Sequence, residues 1–427
     1  VRSSARFFHA IFVSIISLVL LTGCWDRLDP ENMAFVIAIG VDKGPQNDFL
    51  FSFALAVPKM SSSGQSSGGK PNKVVVVHTV EGSNLVSALS ISQSFIARRL
   101  TLIHSKALII GEDLARSGVM PLLSEAVRNR EFRRTVSMIT TKGKAMDYLQ
   151  NIQPTTEQDI SFWFELEVDP INQGGIIPMH ARFHEFIMDI ESKGTGAITI
   201  LSAPRPDIKN GNTEIFSDEN ESNQKVKQPI MSDQYAGKIK RTGEVPVEFF
   251  GTAVYKSSVL AGFLNGSETR ILNMLRGELS QSIWDFRDPS DKQLNLSVTM
   301  KPDKHAHLKI VRSGDQVNAI FDIAMEGKLI SVQSKVDYTK PKNKKKLEEA
   351  VQLQLHDQAI KVLDKTVHKW GVDCFNINNR VVSTFSTLKE WDAFNWRSRL
   401  KDMKYEVNIT FILHQTGGQV GPALEGE

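Results

Sequence analysis

The first twenty-four residues set the terms on which the rest of the chain must fold. Arg2 and Arg6 form a short basic head, and the apolar run from Phe7 to Leu21 is broken only by His9 and serines. That run is short for a spanning helix, which needs roughly 20 apolar residues, and it suits the core of an export signal. It ends in Leu21-Thr22-Gly23-Cys24, small residues before a cysteine whose thiol can carry a diacylglyceryl group. The expectation is a signal peptide over 1–23 and a mature chain anchored through lipid on Cys24, with acyl chains such as palmitate, on the outer face of a cytoplasmic membrane. Two acyl chains give a stable anchor because each buried methylene contributes about 0.8 kcal/mol. Cys24 and Cys374 are the two cysteines of the chain. With Cys24 carrying lipid, no intramolecular disulfide can form, and the exported body has to fold on hydrophobic burial alone. Cys374 reads as a small packed residue.

Composition permits such a body. Of 427 residues, 41% are hydrophobic and 23% charged, which is a globular balance. The length left after cleavage exceeds what one core usually supports, so two to three domains are expected. Removing Arg2 and Arg6 from 51 basic residues leaves 49 against 48 acidic ones, a net charge of +1. That balance gives no reason to expect nucleic acid as a partner.

Strand and helix signals alternate along the chain. Apolar runs over 34–41 and 50–57, separated by a polar turn, predict an antiparallel hairpin. The serine- and glycine-rich stretch 61–69 predicts a surface loop, with a strand over 74–80 after it. Ser83 is positioned to cap a helix starting near Leu85. Strands are expected over 107–110, 136–140 and 197–201, with helices over 114–130, 145–149, 156–164 and 179–192 between them. The polar segment 204–243 reads as a connection between an N-terminal α/β region, 24–203, and a C-terminal α+β domain, 244–417, with 418–427 as a tail. Within the second region, strands are predicted over 247–255, 294–300, 306–311, 317–325 and 328–336. A helix over 268–276, a long helix from Lys340 to Trp370 with Leu347, Val351, Leu355, Ile360, Leu363 and Val367 on one stripe, another over 387–396 and a strand over 406–414 complete it. The fold class is therefore mixed α/β and α+β, with sheets each packed by helices.

Motifs with chemistry in them do not assemble into a catalytic site. Gly64-Gln65-Ser66-Ser67-Gly68 has the spacing of a nucleophile elbow but lies inside the serine-glycine loop, without the strand and helix that would strain and expose Ser66. His180 and His184 are four apart, yet Glu185 is misplaced for a zinc protease and no third ligand is near. His305 and His307 share one face of a strand and read as surface residues. The lysines of 340–346 read as a solvated helix start, because Glu348 and Glu349 follow at once. No catalytic residue, metal or cofactor is expected.

Five blocks of residues carry a resemblance. Cys24-Trp25-Asp26-Arg27 with Ile39-Gly40-Val41-Asp42, then His104-Ser105-Lys106 leading to Gly111-Glu112, then Arg130-Glu131-Phe132-Arg133-Arg134, then Gly251-Thr252-Ala253-Val254-Tyr255-Lys256, then Asn265 and Glu268-Thr269 occur in that order. The chain thereby resembles the Ger(x)C family, the lipoprotein C-subunits of spore nutrient-germinant receptors. The resemblance implies three α/β domains and a noncatalytic subunit that assembles with an A-subunit and a permease-like B-subunit in the inner spore membrane, so that nutrients trigger germination. It marks Trp25, Asp26, Arg27, His104, Ser105, Lys106, Gly251, Asn265 and Glu268 as motif or assembly residues. From the residues themselves, Gly251 and Gly262 would permit tight turns at the two ends of a strand pair. Ser267 would cap the helix holding Glu268, and Trp391 and Trp396 would pack the core. Where relatives carry glycines, this chain has Asn376 and Asn378, and asparagine tolerates a left-handed turn. The competing classes are an importer's substrate-binding lipoprotein and an anchored hydrolase using Ser66.

Overall fold

The computed structural model describes residues 29–416 apart from 46–47, 57–74, 153–156, 158, 170–173, 193, 205–232, 240 and 242–246, together with residues 9, 11–14 and 17. Cys24 and Trp25-Asp26-Arg27, the stretch holding Ser66, most of the segment 204–243 and residues 417–427 lie outside the described residues.

Two sheets organise the chain. In the first, β1 (Met33–Lys43) pairs antiparallel with β2 (Phe49–Ala56), the expected hairpin, and β3 (Val75–Gly82) pairs with β2. On its other side β1 runs parallel to the short β4 (Arg99–Thr101) and to β5 (Ala107–Gly111), followed by β6 (Ser137–Thr141) and β7 (Ile198–Pro204), also parallel. All five residues of β5 are buried. Parallel strands covered on both faces need continuous apolar runs, which is why the central runs lack alternation.

Helices cover both faces. One is packed by α1 (Leu85–Ser92), α2 (Glu112–Ser117), α3 (Met120–Ala126) and, further along the chain, Phe183, Phe186 and Ile190 of the helix Phe183–Glu191. The other is packed by Ala145, Tyr148 and Leu149 of α4 (Ala145–Asn151) and by Ile160, Trp163 and Phe164 of α5 (Ile160–Glu167). The helix Phe183–Glu191 is α6. The single helix expected over 114–130 is two, because Gly118 sits at φ 110° between α2 and α3, outside helical backbone. Asn84, not Ser83, caps α1: its Oδ1 accepts from Ser87 N at 2.7 Å.

The expected strand over 247–255 is β8 (Val247–Lys256), and β9 (Val259–Leu264) follows it. Both pair onto the first sheet, β8 antiparallel to β7 and β9 antiparallel to β8. Gly251 is not a turn residue: it lies inside β8 at φ 107°, where a Cβ would run into Leu264 O. Nor is Gly262, which lies within β9 and is bare because a Cβ would stand 2.9 Å from Trp370 Cε2. The β8–β9 turn is made by Ser257 at φ 55°.

After α7 (Gly266–Arg276) the second sheet begins with β10 (Ser282–Arg287), a strand not anticipated, and β11 (Asn295–Pro302). β12 (His307–Ser313) and β11 pair with successive halves of one long strand, β13 (Gln316–Val332). The two strands expected over 317–336 are thus one. β14 (Lys404–Gln415) runs parallel along β13. The inner face rests on α8 (Pro341–Leu363), whose Leu347, Val351, Leu355 and Leu363 are fully buried, while Ile360 of the expected stripe is only partly so. A wider turn over Asp364–Trp370 prolongs that helix to Gly371 at φ 65°. Then α9 (Ile377–Val382), α10 (Leu388–Phe394) and α11 (Trp396–Arg399) fold back, burying Trp391 and Trp396. The fold is mixed α/β in two sheets, against the three α/β domains of the resemblance.

Close approach joins the sheets. Gly196 N donates to Asp373 O at 2.7 Å, and a Cβ on Gly194 or Gly196 would collide with Trp396 or Val372. Asp373, wholly buried, accepts from the backbone N–H groups of Phe375, Ile377 and Asn378 at 2.9, 3.2 and 2.6 Å. Asn376 takes the left-handed conformation at φ 61°, as expected of an asparagine in that turn.

Candidate functional site

Ligands of open α/β sheets usually lie beyond the carboxyl ends of the parallel strands. Here that position is filled by the chain itself. Asp42, near the end of β1, is 4% exposed; its Oδ1 accepts from Ala145 N at 2.7 Å and its Oδ2 from Met146 N at 2.8 Å. The free N–H groups and partial positive charge at the start of α4 are thus taken up by an internal carboxylate. Burial pushes the Asp42 carboxyl above its ordinary range, and the donors from Met146 and Ala145 pull it back. Gly111 must be bare because a Cβ there would collide with Asp42 Oδ1, and Gly40 because a Cβ would lie 2.9 Å from Leu149 Cδ1. The block Ile39-Gly40-Val41-Asp42 is therefore a seat for α4.

At the opposite, amino end of the same strands lies a cleft of about 430 Å³ lined by His104, Ser105, Lys106, Arg133, Arg182, Glu165 and Asp169 among others. The motif His104-Ser105-Lys106 is held there by backbone. Ser105 Oγ donates to Val36 O at 3.1 Å, Lys106 N donates to Ile37 O at 2.7 Å, and Lys106 O accepts from Ser137 N at 2.9 Å. These bonds lock the entrance to β5 between β1 and β6. Lys106 pairs with Glu165, and the His104 ring meets Phe35 edge-on at 5.0 Å. The cleft presents charge of both signs, and the Ser105 hydroxyl at its edge is spent on Val36 O.

Asn265 and Glu268 act elsewhere, at the joint between sheets. Asn265, not Ser267, caps α7: its Oδ1 accepts from Glu268 N at 2.8 Å while Glu268 Oε2 accepts from Asn265 N at 2.8 Å. Glu268 also receives Lys365 Nζ at 2.7 and 2.8 Å from the end of the long helix. The Lys365 ammonium stands 5.3 Å from the Trp370 ring centre, and that ring lies against Gly262. The motif residues thus fall into two places, His104-Ser105-Lys106 at the amino end of the sheet and Gly251, Asn265 and Glu268 at the joint.

The remaining candidates are structural. His180 Nδ1 is 3.1 Å from Glu185 Oε1 and lies before α6 begins; no group of metal-binding side chains occurs among the described residues. His307 is exposed on β12. Lys344 lies 3.9 Å from Glu348 and Lys345 3.9 Å from Glu349, the solvated helix start expected. Burial pushes the Cys374 thiol up to about 12, with Asp373 adding to the effect. Sequence reasoning missed the roles of Asp42 and Asp373, whose partners are set by tertiary approach. Among the described residues no helix is long and apolar enough to cross a membrane.

The described residues form an α/β sheet in which Asp42 seats α4, joined through the buried Gly194 and Gly196 to a second sheet. Comparison with known proteins supplies the family. Residues 26–203 match the family described as spore germination protein N-terminal domain, and residues 250–417 match spore germination B3/GerAC like, C-terminal. From Bacillus subtilis (strain 168), putative spore germination protein YfkR is 22% identical over 410 residues, covering 95% of both chains. Spore germination protein B3 of the same strain is 23% identical over 418 residues, covering 95% of this chain and 98% of its own. A crystal structure of the GerBC protein superposes with a TM-score of 0.49 at 15% identity, covering 88% of this chain and 96% of that one. The chain belongs to the GerAC-like spore germination family, the noncatalytic C-subunits of germinant receptors.

Proposed function

We propose that this protein is anchored through diacylglyceryl-Cys24 to the outer face of the inner spore membrane. There it assembles with an A-subunit and a permease-like B-subunit so that nutrients trigger germination. The observation that carries the reading is the order of parts: a lipid-attachment sequence ending at Cys24, then the two halves of the germination family in series over both sheets. An importer's binding protein would need two α/β lobes that open around a ligand. Here the second sheet is of another kind, and the buried Asp373 turn joins it to the first. His104 and Lys106 at the amino end of the first sheet, and Asn265 and Glu268 at the joint, are the places where assembly would be felt, with Ser105 holding the first of them from inside.

The test is a Cys24→Ala chain expressed in a sporulating strain without redundant receptors. The expected result is a folded protein absent from the inner-membrane fraction and a lost response to nutrients, with chemically forced germination intact. Retention of the variant in that fraction, or a normal nutrient response, would sink the proposal.

A further inference from the structure

We infer that the amino-end face of the first sheet lies against the bilayer and takes the anionic headgroups of its phospholipids, fixing how the tethered body is oriented. The inference rests on the anchor reading above for its geometry, and on the described residues for its chemistry.

Six arginines, Arg98, Arg128, Arg130, Arg133, Arg134 and Arg182, are exposed and form no ion pair among the described residues. Topology brings them to one end. Arg98 precedes β4, which pairs Arg99 with Met33 at the very start of β1. The loop holding Arg128, Arg130, Arg133 and Arg134 is pinned beside β4 by Glu131, which accepts from Arg99 Nη2 and from Leu102 N at 3.2 Å each. Arg182 bridges Ser137, the first residue of β6. A mature chain with a net charge near zero therefore gathers six guanidinium groups without an ion pair among the described residues at the amino ends of its parallel strands, outnumbering the carboxylates of Glu131, Glu165, Asp169 and Glu185 set among them.

Two further facts favour a membrane as the occupant. Phe95 and Val127 are 53% and 39% exposed within a few residues of Arg98 and next to Arg128, respectively. Apolar side chains set among basic ones are the composition of surfaces that settle at the headgroup boundary. Asp29 is five residues after Cys24, at most about 18 Å of extended chain, and β1 begins at Met33 beside Arg99. A lipid at Cys24 thus delivers this end of the sheet to the bilayer, where attraction between arginine and anionic lipid acts over a screening length of about 8 Å.

The experiment uses residues 24–427 carrying Cys24→Ala, so that no anchor contributes, and measures cosedimentation with vesicles. Vesicles with about 30% phosphatidylglycerol in phosphatidylcholine should bind at least about tenfold tighter than pure phosphatidylcholine. The difference should vanish near 1 M salt, where the screening length falls to about 3 Å. The double variant Arg133→Gln/Arg134→Gln should lose at least about tenfold in binding to the anionic vesicles while melting as the parent does, since both side chains are exposed. Equal binding to the two vesicle types, no binding at low salt, or a double variant that binds undiminished overturns the inference. Absent vesicle binding combined with lost receptor assembly in the double variant would assign the arginines to an acidic protein partner instead. Because Cys24 takes no part in the vesicle measurement, either reading can fail without the other.

Discussion

Asp42→Ala removes both acceptors from the first turn of α4 and leaves the N–H groups of Ala145 and Met146 facing a buried gap. A buried donor without a partner costs about 1–3 kcal/mol, so the pair costs about 2–6 kcal/mol, a large part of the roughly 5–15 kcal/mol that holds a domain. At about 2–4 °C per kcal/mol for a domain of this size, melting should fall by at least about 4 °C. Asp42→Asn keeps one acceptor and should cost about half as much. Gly111 provides a second arm. A Cβ there would displace Asp42 Oδ1, so Gly111→Ala should be destabilising in the parent and far less so beside Asp42→Ala, a coupling of at least about 1 kcal/mol. Urea denaturation of the four chains of this cycle, at constant m-value, reads the numbers. If Asp42→Ala melts within about 2 °C of the parent, or Gly111→Ala costs the same in both backgrounds, the plug is not what holds this end of the sheet.

Gly262→Ala should destabilise by about 1–3 kcal/mol through its Cβ meeting the Trp370 ring, and a smaller residue at 370 should recover part of the loss in the same denaturation assay. Burial holds the Asp189 carboxyl up at about 7, with Arg276 opposing and Asp373 reinforcing the shift. A folded value above the ordinary 3.8 means that the neutral acid's stabilisation is full below that value and is lost as pH rises through about 7. Asp189→Asn should therefore gain in melting temperature over the parent from pH 5 to pH 8; an offset that does not change with pH refutes the shift. Cys374, with its thiol raised to about 12, should resist alkylation at pH 8 until the chain is unfolded, and labelling of native protein would contradict its burial.

Local pattern carried most of the elements and few of their partners. The β1–β2 hairpin, β5, β6 and the stripe of α8 were legible because each records its own burial as a run or a period. Caps were legible only to within two residues: Ser83 and Ser267 have the right chemistry, but Asn84 and Asn265 stand at the residue before the helix in extended backbone and take the bond. At Gly251 and Gly262 the need for glycine was readable and the cause was not, since turn and close approach select the same residue. The motif His104-Ser105-Lys106 was found by resemblance, and its geometry as the latch of β5 was not.

Family membership follows from the amino-acid order alone, and the expectation of a lipid at Cys24 rests on nothing else, because short contiguous signals carry both. Tertiary structure alone decided that β8 and β9 extend the first sheet, that Asp42 seats a helix starting 103 residues further along the chain, and that the segments holding six scattered arginines meet at the amino end of that sheet. The reason is physical: a strand's alternation states which side is buried but not which edge will pair with it, and a carboxylate or guanidinium acquires its role from neighbours that only the folded backbone brings near.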